Sequence, residues 1–132
     1  MRQLNIDTGV EEFCVNGRGV LRFNPADPNL YHRFFDAGRE LEALDKELDR
    51  RAAKLPDGPE GAEAGLALLA DYDGRIKALL GGVFGPENDF DAALGGVNLA
   101  GVAANGKRVV QNLLEAHQFI PKSLHRGEGD WL

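Results

Sequence analysis

The chain has 132 residues, 43% of them hydrophobic, and a formal net charge of -6. This length suits one domain with a sizeable core and is short for two. The acidic balance argues against a nucleic-acid partner. No apolar run approaches the roughly 18 residues of a membrane helix, and the N-terminus lacks the apolar stretch of a signal peptide, so we expect a cytoplasmic protein with no membrane partner.

Residues 1–24 are predicted to form a small antiparallel β-unit. The strongly apolar residues of the sequence EEFCVNGRGVLRF fall on odd positions, at Phe13, Val15, Leu21 and Phe23, which is the period of a half-buried strand. A two-residue Asn-Gly loop would put the two pairs on opposite faces. An odd-length loop or bulge at residues 16–19 keeps all four on one face, and we expect that arrangement.

A third strand can precede this hairpin. In the sequence QLNID, residues 3–7, Leu4 and Ile6 alternate with polar residues. An isolated hairpin is only marginally stable in water, so an additional strand would help it.

A long helix is predicted over residues 28–54. Asp27 and Pro28 are a typical N-cap and first helical residue. The apolar positions from Leu30 onward are spaced by three and four, which places them along one helical stripe. Two acid-to-base pairs four residues apart mark the opposite, solvated face.

A second helix is predicted over residues 62–82, after the glycine- and proline-rich sequence LPDGPEGAEAG. It is expected to fold back on the first as a helical hairpin. In that pairing three leucines of the first helix face three residues of the second: Leu41, Leu44 and Leu48 against Leu66, Leu69 and Ile76. A short helical turn near FDAAL, a last helix over 107–119 that includes Phe119, and a mobile tail over 121–132 complete the single domain, 1–120, of an α+β, mainly α fold.

No catalytic, cofactor-binding or metal-binding constellation is predicted. His32, Asp36 and Glu40 share a helix face and could ligate a metal, but a solvated helix face is the preferred interpretation. The single cysteine, Cys14, lies on a predicted strand without a base near it in sequence, so we expect a packed residue rather than a nucleophile. The aromatic cluster at Tyr31 to Phe35 is either core or a partner surface, and composition does not separate the two.

Three segments together resemble a known family. They are LNIDTGVEEFCVNGRGVLRFNPADPNLYHRFFDA, RIKALLGGVFG and GGVNLAGVAANGKRVVQNLLEAH. In this order and spacing they resemble the small tail assembly chaperones of long-tailed, siphovirus-type bacteriophages, especially those of Gram-positive hosts. The resemblance covers most of residues 1–118.

The resemblance implies a non-catalytic protein without cofactors that coats the helical tape-measure protein before the tail tube polymerises. It also implies self-association and, in a longer frameshifted form, contact with the major tail tube protein. We expect partner binding where the first helix begins and the second ends, through five apolar residues: Tyr31, Phe35, Leu79, Val83 and Phe84. The alternatives are a minor structural or connector protein of the tail and a small metal-dependent enzyme built on His32, Asp36 and Glu40.

Overall fold

The computed structural model describes residues 1–115. Its elements are two strands, two long helices and two short ones, which confirms the α+β, mainly α class. In chain order they are β1 (Glu11–Val15), β2 (Gly19–Phe23), α1 (Pro28–Ala53), α2 (Pro59–Phe84), α3 (Phe90–Ala93) and α4 (Val109–Leu114).

The β1–β2 hairpin has the predicted odd-length loop. Phe13 pairs with Leu21 and Val15 with Gly19, which leaves residues 16–18 as a three-residue loop. Positive φ angles at Asn16 (53°) and Gly17 (71°) make the turn, a conformation that asparagine and glycine tolerate best. All four predicted side chains therefore share one face. Leu21 and Phe23 are buried, whereas Phe13 and Val15 are only half-buried.

The predicted third strand is wrong. Residues 1–10 belong to no strand, and Leu4 and Ile6 are 84% and 76% exposed. Just before β1, the Gly9 N–H donates to the Asp7 side chain (2.9 Å) and Gly9 has a φ of 81°. This local turn replaces ladder pairing, so alternation in the sequence did not produce a paired strand.

Helix α1 begins and ends within a residue of its predicted bounds. The Asp27 carboxylate accepts a hydrogen bond from the Asn29 N–H (2.9 Å), and Pro28 occupies the first turn. The predicted stripe is buried at five positions, namely Leu30, Phe34, Ala37, Leu41 and Leu48, while Leu44 is half-buried.

Helix α2 begins three residues before its predicted start and ends two after its predicted end. Pro59 starts the helix instead of interrupting it, because proline is well suited to the first helical turn. The buried face is made by Leu68, Tyr72, Ile76, Leu80, Val83 and Phe84. Leu66 is 70% exposed, so its predicted packing against α1 is wrong. It lies about 200° around the helix from Leu68 and points away from α1.

An aromatic cluster joins the hairpin to the helices. The Phe23 ring stacks on Phe13 (centroids 4.5 Å apart) and meets Phe84 edge-on at 4.9 Å. Phe84 in turn contacts Phe34 of α1 at 6.4 Å and Phe90 of α3 at 5.9 Å. Phe84 is therefore central to the core.

The predicted turn near FDAAL is observed as α3. Helix α4 begins two residues after the predicted start of the last helix. The predicted continuation of that helix from residue 116, including Phe119, and the predicted tail over 121–132 lie outside the described residues. Within residues 1–115, no helix is both long and apolar enough to cross a membrane.

A buried asparagine closes the outer edge of β2. The Asn88 side chain, 9% exposed, accepts from the Arg22 N–H (2.7 Å) and donates to the Arg22 carbonyl (2.9 Å). It also donates to the Phe84 carbonyl at the end of α2 (2.8 Å). One side chain thus supplies the pairing that a further strand would provide and ties the hairpin to α2.

A second polar connection joins α2 to the segments that follow it. Lys77, with a side chain 16% exposed, donates to Asp73 (2.8 Å) and to Asp91 of α3. The other Asp73 oxygen accepts from the Leu99 N–H (2.7 Å). Desolvation alone would lower the pKa of Lys77, but the hydrogen bonds from its ammonium to the two carboxylates outweigh it, and the net shift is upward.

Replacing Lys77 with Met is expected to lower the free energy of unfolding by about 1–2 kcal/mol at pH 8, because two carboxylates lose a charged donor. The pKa of Lys77 is higher in the folded chain than in the unfolded chain. The stabilisation by its ammonium is therefore complete below the unfolded pKa of about 10.4 and is lost as pH rises through the folded pKa. Urea unfolding of both proteins across pH 8–11.5 checks this. A difference between them that stays constant to pH 11.5 would contradict the assignment.

Candidate functional site

The two regions predicted to form a partner patch do meet. The Arg33 guanidinium of α1 donates through Nε to the Val83 carbonyl near the end of α2 (3.1 Å), and the Phe34 and Phe84 rings are in edge contact. Val83 and Phe84 are, however, only 2% and 5% exposed. These two predicted partner-binding residues belong to the core, although Phe84 also lines the second of the grooves described below.

The other three predicted residues, Tyr31, Phe35 and Leu79, are half-buried. The Tyr31 hydroxyl donates to the Pro25 carbonyl (2.6 Å), and burial raises the pKa of this phenol. The Phe35 ring lies edge-on to Phe34, with centroids 6.4 Å apart. The aromatic residues at positions 31–35 are therefore divided: Phe34 lies in the core, and Tyr31 and Phe35 lie at its margin. A role of these three residues in binding stays a prediction.

A concave apolar surface lies instead between α1, α2 and α4. We call it the helical groove; its volume is about 190 Å³. Its apolar lining is Leu41, Leu44, Leu48, Tyr72, Ile76, Val110 and Leu114. Gly38, Gln111 and the charged residues Glu42, Asp45 and Arg108 complete the lining. An added methyl group at Gly38 would meet no atom within 4 Å. The groove therefore has room for additional apolar side chains.

A second concave surface lies on the other side of α4, against the inner face of the hairpin. We call it the hairpin groove; its volume is about 320 Å³. Its apolar lining is Phe13, Val15, Leu21, Phe23, Phe84, Leu94, Val109 and Leu113. The half-buried state of Phe13 and Val15 follows from this groove, because α4 does not cover them completely.

Helix α4 is held in place mainly from its N-terminal end. Arg108, with a side chain 15% exposed, contacts Asp49 (2.6 Å) and Asp45 of α1, and also donates to the Ala100 carbonyl (2.8 Å). The Val110 N–H donates to the Leu99 carbonyl (3.0 Å). These bonds fix the start of α4, while its apolar side chains line both grooves.

Sequence reasoning did not identify Arg108, Val110 or Leu114 as lining a candidate binding surface. The relevant signal was weak: Asp45 and Asp49 are four residues apart on α1 and present one acidic face, but nothing in the sequence pairs them with a particular base. Arg108 is about 60 residues further along the chain, so only the tertiary fold brings the three together.

The metal-binding alternative has little geometric support. His32 Nε2 lies 3.5 Å from Asp36, with the two side chains 80% and 57% exposed, and Asp36 also pairs with Arg39 at 3.8 Å. Across residues 1–115, no three or more His, Cys, Asp or Glu side chains are grouped so that they could hold a metal ion. Cys14 is exposed rather than packed, contrary to expectation.

Comparison of the chain with protein-family models, with curated proteins and with solved structures gave no match.

Proposed function

We propose that the chain is a tail assembly chaperone of a long-tailed bacteriophage or prophage, acting in the cytoplasm of the host cell. Its role is to coat the apolar helices of the tape-measure protein until tail-tube subunits replace it. The proposal rests on the sequence resemblance and does not involve catalysis. A longer frameshifted form would contact the major tail tube protein.

The observation that best supports a binding role is the pair of apolar grooves beside α4. Each is lined mainly by aliphatic or aromatic side chains. Val110 and Leu114 of α4 form one wall of the helical groove. A surface of this kind suits the apolar face of an amphipathic helix. Many copies bound along one long polymer would hold it by avidity even if each contact were weak.

The test is co-expression with a helical fragment of the tape-measure protein encoded in the same genome. We expect the wild-type chain to keep this fragment in the soluble fraction. Leu114→Asp places a charge in the wall of the helical groove, and Gln111→Trp adds bulk from an exposed position. Each variant is expected to reduce the soluble fragment at least about tenfold, because an unpaired charge or a steric clash costs more than about 1.4 kcal/mol per contact.

Leu66→Asp is the matched control, since it introduces the same charge at a leucine that is 70% exposed and outside both grooves. Circular dichroism verifies that each variant is folded. A fragment equally insoluble with and without the folded wild-type chain would refute the proposal. Detection of the chain in purified virions by mass spectrometry would favour the minor structural or connector protein instead.

A further inference from the structure

We infer that residues 3–8 of one copy add as a strand to the free edge of β1 in a second copy. We call residues 1–10 the N-terminal arm. This inference concerns the association of the chain with itself and does not depend on the proposed tape-measure partner. It rests on three observations: one closed sheet edge, one open edge, and an arm with exposed apolar side chains.

The edge of β2 is not available for strand addition. Asn88 occupies both the N–H and the carbonyl of Arg22. At the other end of β2, α3 packs against the inner face, because an added Cβ at Gly19 would come within 2.1 Å of the Ala93 Cα. Strand pairing on this side is therefore blocked at Arg22 by Asn88.

The edge of β1 is open. Backbone groups alternate between the two edges of a strand. The backbone N–H and carbonyl of Arg22 point away from β1, toward Asn88. The same groups of its pairing partner Glu12 therefore point away from β2, and so do those of Cys14, two residues further along β1. In the part of the chain that the structure describes, no strand pairs with this edge. An open edge of this kind is a template for strand addition.

The arm has the composition of a strand that lacks a partner. Leu4, Ile6 and Val10 are 84%, 76% and 55% exposed, the densest group of exposed large apolar residues among those described. Leu4 and Ile6 are two residues apart and would share one face of a strand. Burying both would remove a substantial apolar area from water.

The arm does not cover the open edge of its own chain in the structure. The Asn24 side chain, just after β2, donates to the Thr8 carbonyl (2.7 Å), so Thr8 is tied to the β2 side of the hairpin. Only Gly9 and Val10 separate Thr8 from β1. Pairing with its own β1 would turn the chain back at Gly9 and Val10 and pull Thr8 away from Asn24, so that this bond would be lost. A second copy supplies the same segment with its Asn24 bond intact.

The faces of the added strand can be assigned. The inner face of β1 carries Phe13 and Val15, which are half-buried in the hairpin groove. Placing Leu4 and Ile6 on this face would fill that groove with apolar groups. Asn5 and Asp7 then fall on the outer face, the face that carries Cys14.

The test uses the single native cysteine. We expect Asn5→Cys or Asp7→Cys to form an intermolecular disulfide with Cys14 of another copy under mild oxidation, seen as dimers on non-reducing gels. Leu4→Cys and Ile6→Cys should give at least about tenfold less disulfide-linked dimer, since their side chains face away from Cys14. The same variants in a Cys14→Ser background control for bonds between the two introduced cysteines.

Sedimentation analysis gives an independent readout. The wild-type chain should associate with increasing concentration, and deletion of residues 1–8 or Ile6→Asp should weaken association at least about tenfold. Val102→Asp should not weaken association, because it changes an apolar residue that is 63% exposed elsewhere on the surface. A wild-type chain monomeric at all concentrations, or cross-linking of equal efficiency at positions 4 to 7, would overturn the inference.

Discussion

Replacing Asn88 with Ala is expected to lower the free energy of unfolding by about 2–4 kcal/mol. The substitution removes three hydrogen bonds and leaves the Arg22 N–H and two backbone carbonyls without their side-chain partner. An unsatisfied buried backbone group costs about 1–3 kcal/mol. Water can reach part of the β2 edge, so the total is less than the sum of three such costs. Urea unfolding monitored by circular dichroism measures the loss.

Two further variants define the cause. Asn29→Ala removes an exposed asparagine side chain in the first turn of α1 and should change stability by less than about 0.5 kcal/mol. Asn88→Asp keeps the size but replaces the donor by a carboxylate oxygen facing two carbonyls. It should be destabilising at pH 7 and recover in part as the pH falls and the carboxyl is protonated. If Asn88→Ala is as stable as Asn29→Ala, the bridging role of Asn88 is wrong.

Replacing Gly61 with Ala is expected to cost about 3 kcal/mol, although alanine is normally the better helix former. Gly61 is buried in the first turn of α2, and an added Cβ would lie 1.6 Å from the Pro56 carbonyl oxygen. Because that atom belongs to the backbone, the α1–α2 connection would have to move, which is the kind of overpacking that costs 1–3 kcal/mol or more. Thermal and urea unfolding measure the effect.

Gly74→Ala in the same helix is the matched control. An added Cβ at Gly74 would meet no atom within 4 Å, so the variant should gain about 0.5–1 kcal/mol from helix propensity alone. The two substitutions are chemically identical and should have opposite signs. A stabilising Gly61→Ala would mean that Pro56 does not lie against the start of α2.

The predicted partner patch shows how far sequence reasoning extends to a surface. The prediction that the start of α1 and the end of α2 meet follows from an antiparallel helical hairpin, and the contacts of Arg33 and Phe34 agree with it. Periodicity does not reveal whether an apolar residue at such a junction is covered. Phe84 is covered because the hairpin and α3 both pack on it, and neither contact is local in sequence.

The sequence alone determined the features that depend on neighbouring residues. These are the Asp27 cap and Pro28 start of α1, the odd loop at residues 16–18, and the spacing of apolar residues along α1. Each depends on backbone geometry or on side-chain direction over a few residues, where local preferences are strong.

Only the tertiary structure decided which of several similar residues are buried and which polar residues pair. Leu66 and Leu68 are the same residue on the same helix, yet one is exposed and the other buried, because α1 covers only one side of α2. The side-chain bridge of Asn88 to β2 and the contacts of Arg108 with Asp45 and Asp49 join residues about 60 positions apart. Such pairings depend on how whole elements pack, and no short-range pattern encodes that packing.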